Sequence, residues 1–103
     1  MRVIDIKGEI INSNNQWIYD WLGMEATSPK KISDALRDAG GEDVEIHINS
    51  PGGDVFAGSE IYTLLRGYSG KVKIKILGIA ASAASVIAQA GESEISPTGM
   101  FMI

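Results

Sequence analysis

Residues 44–58 read VEIHINSPGGDVFAG and combine a strand, a turn and the start of a helix in one short stretch. Apolar residues alternate with polar ones over 44–48, which predicts a strand with one buried face. Residues 49–53, which contain proline and glycine, predict a tight loop. Apolar residues then recur at helical spacing over 57–68, which predicts a helix. A strand that leads directly into a helix is the repeating unit of α/β folds.

The segment before this stretch has the same organisation. Residues 1–11 alternate in the manner of a strand, which Gly8 is expected to close. Ser28-Pro29 is a typical helix start, with serine as the N-cap and proline in the first helical position. Gly40-Gly41 supplies the matching end, because glycine readily adopts the left-handed conformation of a helix C-cap. We therefore expect a strand and a helix before the strand at 44–48.

The segment after this stretch repeats the unit once more. Residues 71–76 alternate lysine with valine or isoleucine, which predicts a half-exposed strand or one close to a sheet edge. Small residues dominate 78–91 and predict a buried helix, and a last short strand pair is expected at 94–96 and 100–103. Alternating strands and helices call for a mainly parallel sheet with right-handed crossovers, so the expected fold class is α/β.

An aromatic cluster lies between the first strand and the first predicted helix. Trp17, Tyr19 and Trp21 follow the polar turn at 12–15. Such a cluster indicates an interface, the wall of a substrate site or a packed loop, since these side chains bury large surfaces and carry polar groups. Of these interpretations we favour packing within the chain.

Composition excludes several classes of function. The 103 residues carry 9 basic and 13 acidic side chains, a net charge of −4, which argues against nucleic acid or an anionic membrane as partner. With no cysteine and one histidine, neither a disulfide, nor a thiolate nucleophile, nor a transition-metal site is expected. The N-terminus lacks the apolar core of a signal peptide, and no apolar run is long enough to span a bilayer. We expect a soluble, cytoplasmic domain.

The first candidate site is the loop at 49–54, because open α/β sheets place ligand sites where strands lead into helices. Gly52 and Gly53 allow backbone torsions that are closed to other residues, so main-chain N–H groups can face a ligand. Phosphate binding is one use of such a loop, although the segment is neither a P-loop nor a dinucleotide-binding fingerprint. On its own, Pro-Gly-Gly is more typical of a plain turn.

The second candidate site is Ser82, which has alanine and glycine neighbours and stands where a helix begins. Small neighbours let a substrate carbonyl approach its hydroxyl oxygen, and the helix N-terminus provides N–H groups for a developing oxyanion. The same pattern fits a closely packed helix in which Ser82 is only a cap, and this segment alone favours that interpretation. Ser85, one turn later, is expected to be a packing residue.

A nucleophilic serine needs a base, and His47 is the only histidine of the chain. It alternates with Ile46 and Ile48, which places it on the opposite face of the predicted strand, beside Glu45. We therefore expect a structural or solvated role for His47. If it is not the base, these 103 residues hold no complete catalytic triad.

Taken together, the two candidate loops resemble the proteolytic subunits of the Clp protease family. The matching residues are the run from Ile48 to Gly53, the pairs Ala57-Gly58 and Ile61-Tyr62, the run from Gly78 to Ser82, and Gly91. The sequences of 52–58 (GGDVFAG) and 80–88 (AASAASVIA) are similar to those of the ClpP-related head maturation proteases of phages and prophages. The resemblance covers residues 27–103 and implies a ClpP/crotonase-like fold of stacked β-α-β units with a mainly parallel sheet.

The resemblance implies a serine endopeptidase and indicates its site residues. Ser82 corresponds to the nucleophile, and the amides of Gly53 and Ala83 correspond to the oxyanion hole. The segment around Gly53, with Gly52, Asp54 and Val55, would bind an extended peptide or protein substrate through its backbone. The resemblance implies no metal and no cofactor.

The resemblance also implies parts that these residues lack. In the family the catalytic histidine follows an apolar strand like that at 100–103, and the catalytic aspartate and the helix that joins two rings come later. We therefore expect 1–103 to be a single, partial protease domain that is inactive alone, because a triad without its base loses most of its rate. The expected partners are copies of the chain in a homo-oligomeric ring, a heptamer or double heptamer, and an AAA+ unfoldase if the peptidase is ATPase-assisted.

Two other functions stay open. A crotonase-type acyl-CoA enzyme shares the stacked architecture and a pair of oxyanion-hole amides but does not need a serine at position 82. A non-catalytic ClpP-like ring subunit would keep the fold and lack the downstream histidine. For a peptidase, the expected substrate is a phage capsid or scaffold protein in head maturation, or an unfolded chain that an ATPase delivers in a housekeeping setting.

Overall fold

The computed structural model describes residues 1–95 and 99–102. Its strands are β1 (Arg2–Ile10), β2 (Ala26–Thr27), β3 (Val44–Gly53), β4 (Val72–Ala81), β5 (Glu92–Ile95) and β6 (Met100–Met102). Its helices are α1 (Gln16–Leu22), α2 (Pro29–Ala39), α3 (Val55–Arg66) and α4 (Ala83–Ile87), with a short 3₁₀ helix at Ser13–Asn15. Ser96 and Ile103, which the sequence assigns to the last strands, lie outside the described residues. Within the described part, no helix has the length and apolar character needed to cross a membrane.

The sheet is parallel throughout the described part of the chain. Its strands follow the order β2-β1-β3-β4-β5, and β6 pairs with the C-terminal part of β4, beyond the part that pairs with β5. The predicted α/β class and parallel sheet are therefore confirmed. The two strands expected at the end both form, but each of them pairs with β4 rather than with the other.

One face of the sheet forms the hydrophobic core. Buried isoleucines of three neighbouring strands lie side by side in two rows, Ile4–Ile46–Ile74 and Ile6–Ile48–Ile76. Helices α2 and α3 cover these rows with Ile32, Leu36, Ile61 and Leu65. Burying each large aliphatic side chain contributes about 1.5–3 kcal/mol, so the rows fix the register of the sheet. Lys73 is exposed on the opposite face, which confirms the half-exposed character predicted for β4.

β1 does not end at Gly8, as the sequence suggests, but continues to Ile10. Its register with β3 shifts between Lys7 and Glu9, and Gly8 in this bulge has a φ of +66°. Gly8 also lies so close to Glu25 that a Cβ atom would overlap the carbonyl group of that residue. Glycine therefore permits a bulge here instead of ending the strand, and Ile10 reaches the end of β3.

Two segments expected to be loop or helix are strand instead. Residues 49–53 continue β3, because the last residues of β1 pair with them. Likewise β4 continues to Ala81 along β6, so the helix predicted over 78–91 is reduced to α4. In both cases pairing with a strand distant in sequence overrides the local turn and small-residue signals.

The predicted capping residues set the ends of α2. Ser28 Oγ accepts a hydrogen bond from the Lys31 amide (3.3 Å), and Pro29 is the first helical residue. Gly40 ends the helix in the left-handed conformation, with a φ of +59°. A serine N-cap contributes about 1 kcal/mol, which explains why this helix begins where the sequence predicts.

The aromatic cluster lies on α1 and is largely exposed. Trp17 and Trp21, one turn apart, are 67% and 80% exposed, so the favoured interpretation of packing within the chain is wrong for both. Tyr19 is partly buried, and its hydroxyl donates a hydrogen bond to Glu9 Oε1 (3.2 Å). The short helix therefore turns Tyr19 toward the sheet and both tryptophans away from it.

Candidate active site

Three strands bring the candidate residues to one edge of the sheet. Because β1, β3 and β4 are parallel neighbours, their carboxyl ends lie at the same edge. β1 ends at Ile10, β3 ends at Gly53, and β4 ends directly before Ser82. The two loops singled out in the sequence therefore meet in the fold.

Ser82 occupies a strained junction between β4 and α4. Among the described residues it alone has a positive φ without being glycine (φ 53°, ψ −121°), a conformation that costs about 1–3 kcal/mol. Its N–H donates to the carbonyl of Met102 in β6 (3.1 Å), and its own carbonyl accepts from the amide (2.9 Å) and the hydroxyl (2.5 Å) of Ser85. The backbone is thus held on both sides while the residue itself is exposed. Ser85 is buried, which confirms that it is a packing residue.

Gly52 brings the end of β3 directly onto this junction. A Cβ atom at Gly52, whose φ is +103°, would lie 2.6 Å from the carbonyl oxygen of Ala81, 2.8 Å from Ser82 Cβ and 3.2 Å from the Ala83 nitrogen. The absence of a side chain at Gly52 is what allows this close approach. The Gly52 amide donates a hydrogen bond to Ser50 Oγ (3.1 Å) and is therefore not free to bind a ligand. Gly52 instead contributes to the site through its contact with residues 81–83.

Gly53 is exposed and lies beside Ile10 of β1. The amide of the following residue, Asp54, donates to the Ile10 carbonyl (2.9 Å). Gly53 directly follows Gly52, which contacts Ser82, so the Gly53 amide lies near the Ser82 junction. With a φ of +146°, the position is closed to most side chains, and a Cβ atom would overlap the Ile10 carbonyl oxygen.

Asn49 and Ser50, neither of them predicted individually as a site residue, connect β3 to its two neighbouring strands. Asn49 Oδ1 accepts a hydrogen bond from the Ile79 amide (3.1 Å), and its side chain fills the space that a Cβ atom on Gly78 would need. Ser50 is fully buried and its hydroxyl donates to the Gly8 carbonyl (2.5 Å). The pairing of β3 with β1 and with β4 shifts register close to these two residues. Because strand pairing joins residues distant in sequence, local sequence patterns do not reveal their role.

The residues after Gly53 start α3. Asp54 Oδ1 accepts a hydrogen bond from the Ala57 amide (3.0 Å) and so acts as the N-cap of the helix. Val55 and Phe56 follow with 62% and 88% exposure. Apolar side chains this exposed at the carboxyl edge of the sheet leave an apolar surface next to Gly53 for a ligand.

His47 lies far from Ser82. It is in register with Lys75, seven residues before Ser82 along β4, or about 20 Å at the rise of a strand. Its Nε2 is 2.6 Å from Oε2 of Glu45 on the polar face of the sheet. This hydrogen bond, together with the positive charges of His47, Lys75 and Lys73, lowers the pKa of the Glu45 carboxyl against the opposing effect of burial. His47 therefore has the structural role that the sequence predicts.

Metal ligands do not gather in the described part of the molecule. No group of three or more His, Asp or Glu side chains lies in an arrangement that could hold a metal ion there. What the carboxyl edge does offer is a hydroxyl group, backbone amides and exposed apolar surface.

Comparisons with known proteins identify the family of the chain. The Clp protease family matches residues 3–103. The ATP-dependent Clp protease proteolytic subunit of Ligilactobacillus salivarius (strain UCC118) is 35% identical over 91 residues, which cover 87% of this chain and 41% of that protein. The subunit of the same name from Bacteroides fragilis (strain YCH46) is 49% identical over 51 residues, 50% of this chain and 23% of that protein.

Solved structures give the same result. ClpP1 from Listeria monocytogenes superposes with a TM-score of 0.63 and 30% sequence identity over 88% of this chain and 47% of that one. The chain thus spans less than half the length of the relatives it matches. Since the family match extends over residues 3–103, the chain belongs to the Clp protease family.

Proposed function

We propose that this chain carries the nucleophile and the oxyanion hole of a serine endopeptidase. The observation that supports this most directly is the conformation of Ser82, an exposed serine held at a positive φ on a strand-to-helix junction. A strained turn of this kind lifts a nucleophilic hydroxyl out of the surrounding surface. A serine that served only as a packed cap would have no need of such strain.

In the proposed reaction, Ser82 Oγ attacks the carbonyl carbon of a peptide bond while a base takes the hydroxyl proton. The carbonyl oxygen becomes an oxyanion, which the amides of Gly53 and Ala83 stabilise with hydrogen bonds. Collapse of the intermediate breaks the C–N bond, and the protonated amine leaves. Water then hydrolyses the acyl-enzyme and restores the serine.

The substrate is proposed to bind as an extended chain against the segment from Gly53 to Val55. These residues are exposed where β3 ends, and since the Asp54 amide and carbonyl are engaged with Ile10 and Gly58, the main-chain groups of Gly53 are proposed to pair with the peptide. Gly52 supports the segment from beneath through its contact with Ser82. Such pairing reads the backbone more than the sequence of the substrate, which suits the breakdown of varied proteins.

The base and the acid are proposed to come from residues outside 1–103, which on this view form part of one protease domain. His47 is engaged with Glu45 on the polar face of the sheet and is about 20 Å from Ser82. The Met102 carbonyl of the apolar strand β6 accepts a hydrogen bond from the Ser82 amide, so a histidine soon after β6 would be close to the Ser82 hydroxyl. This placement would supply the base, and a later acidic residue would complete the triad.

The cellular setting is proposed from the same residues. The sequences GGDVFAG (52–58) and AASAASVIA (80–88) favour a phage or prophage enzyme that processes capsid or scaffold protein in the cytoplasm. The relatives are named as ATP-dependent proteolytic subunits, so cooperation with an AAA+ ATPase is the corresponding proposal for a housekeeping role. A homo-oligomeric ring of seven or fourteen copies is proposed in either setting.

Labelling of the full-length protein with a fluorophosphonate probe tests the proposal. We expect a covalent adduct on Ser82, together with hydrolysis of unfolded protein that the probe blocks. Ser82→Ala removes both activities, whereas Ser59→Ala, at an exposed position on α3, keeps them. Absence of labelling in an assembled ring would indicate a non-catalytic subunit. Acyl-CoA turnover that survives Ser82→Ala would indicate a crotonase-type enzyme.

A further inference from the structure

Helix α1 lies against the same edge of the sheet as the candidate active site. It follows β1 through the turn at residues 11–15, and Gly23 ends it in the left-handed conformation, with a φ of +70°. Tyr19, in the middle of the helix, donates a hydrogen bond from its hydroxyl to Glu9 Oε1 (3.2 Å). This bond connects α1 to the end of β1 and orients the Glu9 side chain toward α1.

Glu9 in turn flanks the candidate oxyanion loop. Its backbone pairs with Gly52, and its Cγ atom lies 3.1 Å from the position that a Cβ atom on Gly53 would take. Ile10, the next residue, pairs with Gly53, and its carbonyl accepts a hydrogen bond from the Asp54 amide. The stem of the Glu9 side chain therefore lies beside the residue whose amide is proposed to bind the oxyanion.

The carboxylate of Glu9 is available to a ligand. Glu9 is exposed, and Tyr19 occupies one of its two carboxylate oxygens, Oε1. The hydrogen bond to Glu9, then burial, then the negative charge of Glu9 raise the pKa of the Tyr19 hydroxyl, so tyrosine stays a donor at neutral pH. The Asp54 carboxylate, after Gly53, caps α3, and Lys7, two residues before Glu9 on β1, is paired with Asp5 (3.7 Å). Within the described residues, no lysine or arginine forms an ion pair with the Glu9 carboxylate.

We propose that Glu9, oriented by Tyr19, is a specificity-determining residue that favours peptide substrates with a lysine or arginine side chain close to the cleaved bond. The inference rests on the proposed peptidase function of Ser82. A peptide bound at Gly53 lies beside the Glu9 side chain, and a cationic side chain there gains a charge-assisted hydrogen bond with the carboxylate. Tyr19 is a positioning residue, since it acts on the substrate only through Glu9.

Matched peptides that differ only in arginine or citrulline test this inference, because citrulline keeps the shape of arginine and removes its charge. With the full-length protein, we expect kcat/KM for the arginine peptide to exceed that for the citrulline peptide by about 10-fold. Glu9→Gln removes this preference by lowering kcat/KM for the arginine peptide alone. Glu60→Gln, at an exposed position on α3, keeps the preference.

Tyr19→Phe separates positioning from a merely structural role. Without the hydroxyl donor the Glu9 carboxylate is free to turn, so we expect KM for the arginine peptide to rise. The kcat for the arginine peptide and both kinetic constants for the citrulline peptide should change little. Equal losses on both peptides would show that Tyr19 only supports the fold.

Binding to the Ser82→Ala protein keeps this inference distinct from the peptidase function. Fluorescence anisotropy of the two labelled peptides should show the same preference and the same loss in a Glu9→Gln, Ser82→Ala double variant. If Ser82-dependent hydrolysis proceeds at equal rates on both peptides, the proposed specificity is overturned and the proposed peptidase function is kept. If no Ser82-dependent hydrolysis is found, anisotropy decides: an arginine preference supports the role of Glu9, and equal binding overturns it.

Discussion

Gly58 lies directly against the methyl group of Ala83. A Cβ atom at Gly58 would be 2.8 Å from Ala83 Cβ and 3.1 Å from the Ala83 carbonyl oxygen. Through this contact α3, which begins at the end of β3, packs on α4, which begins at the end of β4. The position of the Ala83 amide beside Ser82 therefore depends on the absence of a side chain at position 58.

Gly58→Ala should separate the two helices. The added methyl group has to displace Ala83, and such overpacking costs about 1–3 kcal/mol of unfolding free energy. Chemical denaturation of the full-length protein measures this loss. The rate of peptide hydrolysis should also fall under conditions in which the variant is still fully folded. Gly67→Ala is the control, because a Cβ atom there meets only ordinary contacts, 3.4 Å from the Thr63 carbonyl oxygen. Equal effects of the two substitutions would contradict the contact.

Ser82→Gly and Ser82→Ala should differ in stability although both remove the nucleophile. Alanine retains the strain of a positive φ, whereas glycine adopts it freely, so the glycine variant should be more stable by about 1 kcal/mol. Unfolding midpoints at equal protein concentration measure the difference. At a regular helical position the order would be reversed, since glycine is there the less favourable residue by about 1 kcal/mol. A more stable alanine variant would therefore rule out a strained junction.

Asn49→Leu should weaken the connection between β3 and β4. The Ile79 amide loses its acceptor, and because this hydrogen bond is exposed, its loss should lower the unfolding free energy by about 0.5–1.5 kcal/mol. Asn49→Asp keeps an acceptor oxygen and should lose less. Thermal unfolding of these variants, with Asn14→Leu in the exposed 3₁₀ helix as a control, checks the order. Indistinguishable Leu and Asp variants would show that the hydrogen bond contributes nothing.

Local signals in the sequence were sufficient for the elements whose stability is local. The Ser28 cap and the Gly40 end lie within α2 itself, and the alternation of Ile74 and Ile76 with lysines is visible within β4. These signals act between residues close in sequence, so a single chain shows them directly.

Elements that depend on distant partners could not be predicted in this way. Gly8 is a strong terminator locally, and only the pairing of Ile10 with Gly53 shows that β1 passes through it as a bulge. Trp17 and Trp21 are apolar and were expected to pack, but α1 directs Tyr19 to Glu9 and leaves both tryptophans exposed. The candidate site was found from its motif, whereas Asn49 became visible only once β3 and β4 were side by side.

Glu45→Gln should change the acid dependence of stability. The folded protein holds the pKa of the Glu45 carboxyl below its ordinary value, chiefly through the hydrogen bond with His47, so the ionised form favours folding. This contribution is complete above the ordinary glutamate pKa of about 4.3 and is lost as pH falls through the lower folded-state value. The difference in unfolding midpoint between wild type and Glu45→Gln should therefore be constant from neutral pH to about pH 5 and shrink in more acidic solution. A difference that grows toward low pH would contradict the sign.

His47→Gln should leave peptide hydrolysis by the full-length protein unchanged within about twofold, because His47 contacts Glu45 and lies about 20 Å from the Ser82 hydroxyl. Removal of a true catalytic base lowers kcat by several orders of magnitude, so the two cases are easily distinguished. The variant should also keep most of its stability, since the glutamine amide can still donate a hydrogen bond to the Glu45 carboxylate. Steady-state kinetics beside Ser82→Ala, with thermal unfolding of the same samples, measures both effects. A His47→Gln enzyme as inactive as Ser82→Ala but equally well folded would place the base within this chain and refute the assignment of the base to later residues.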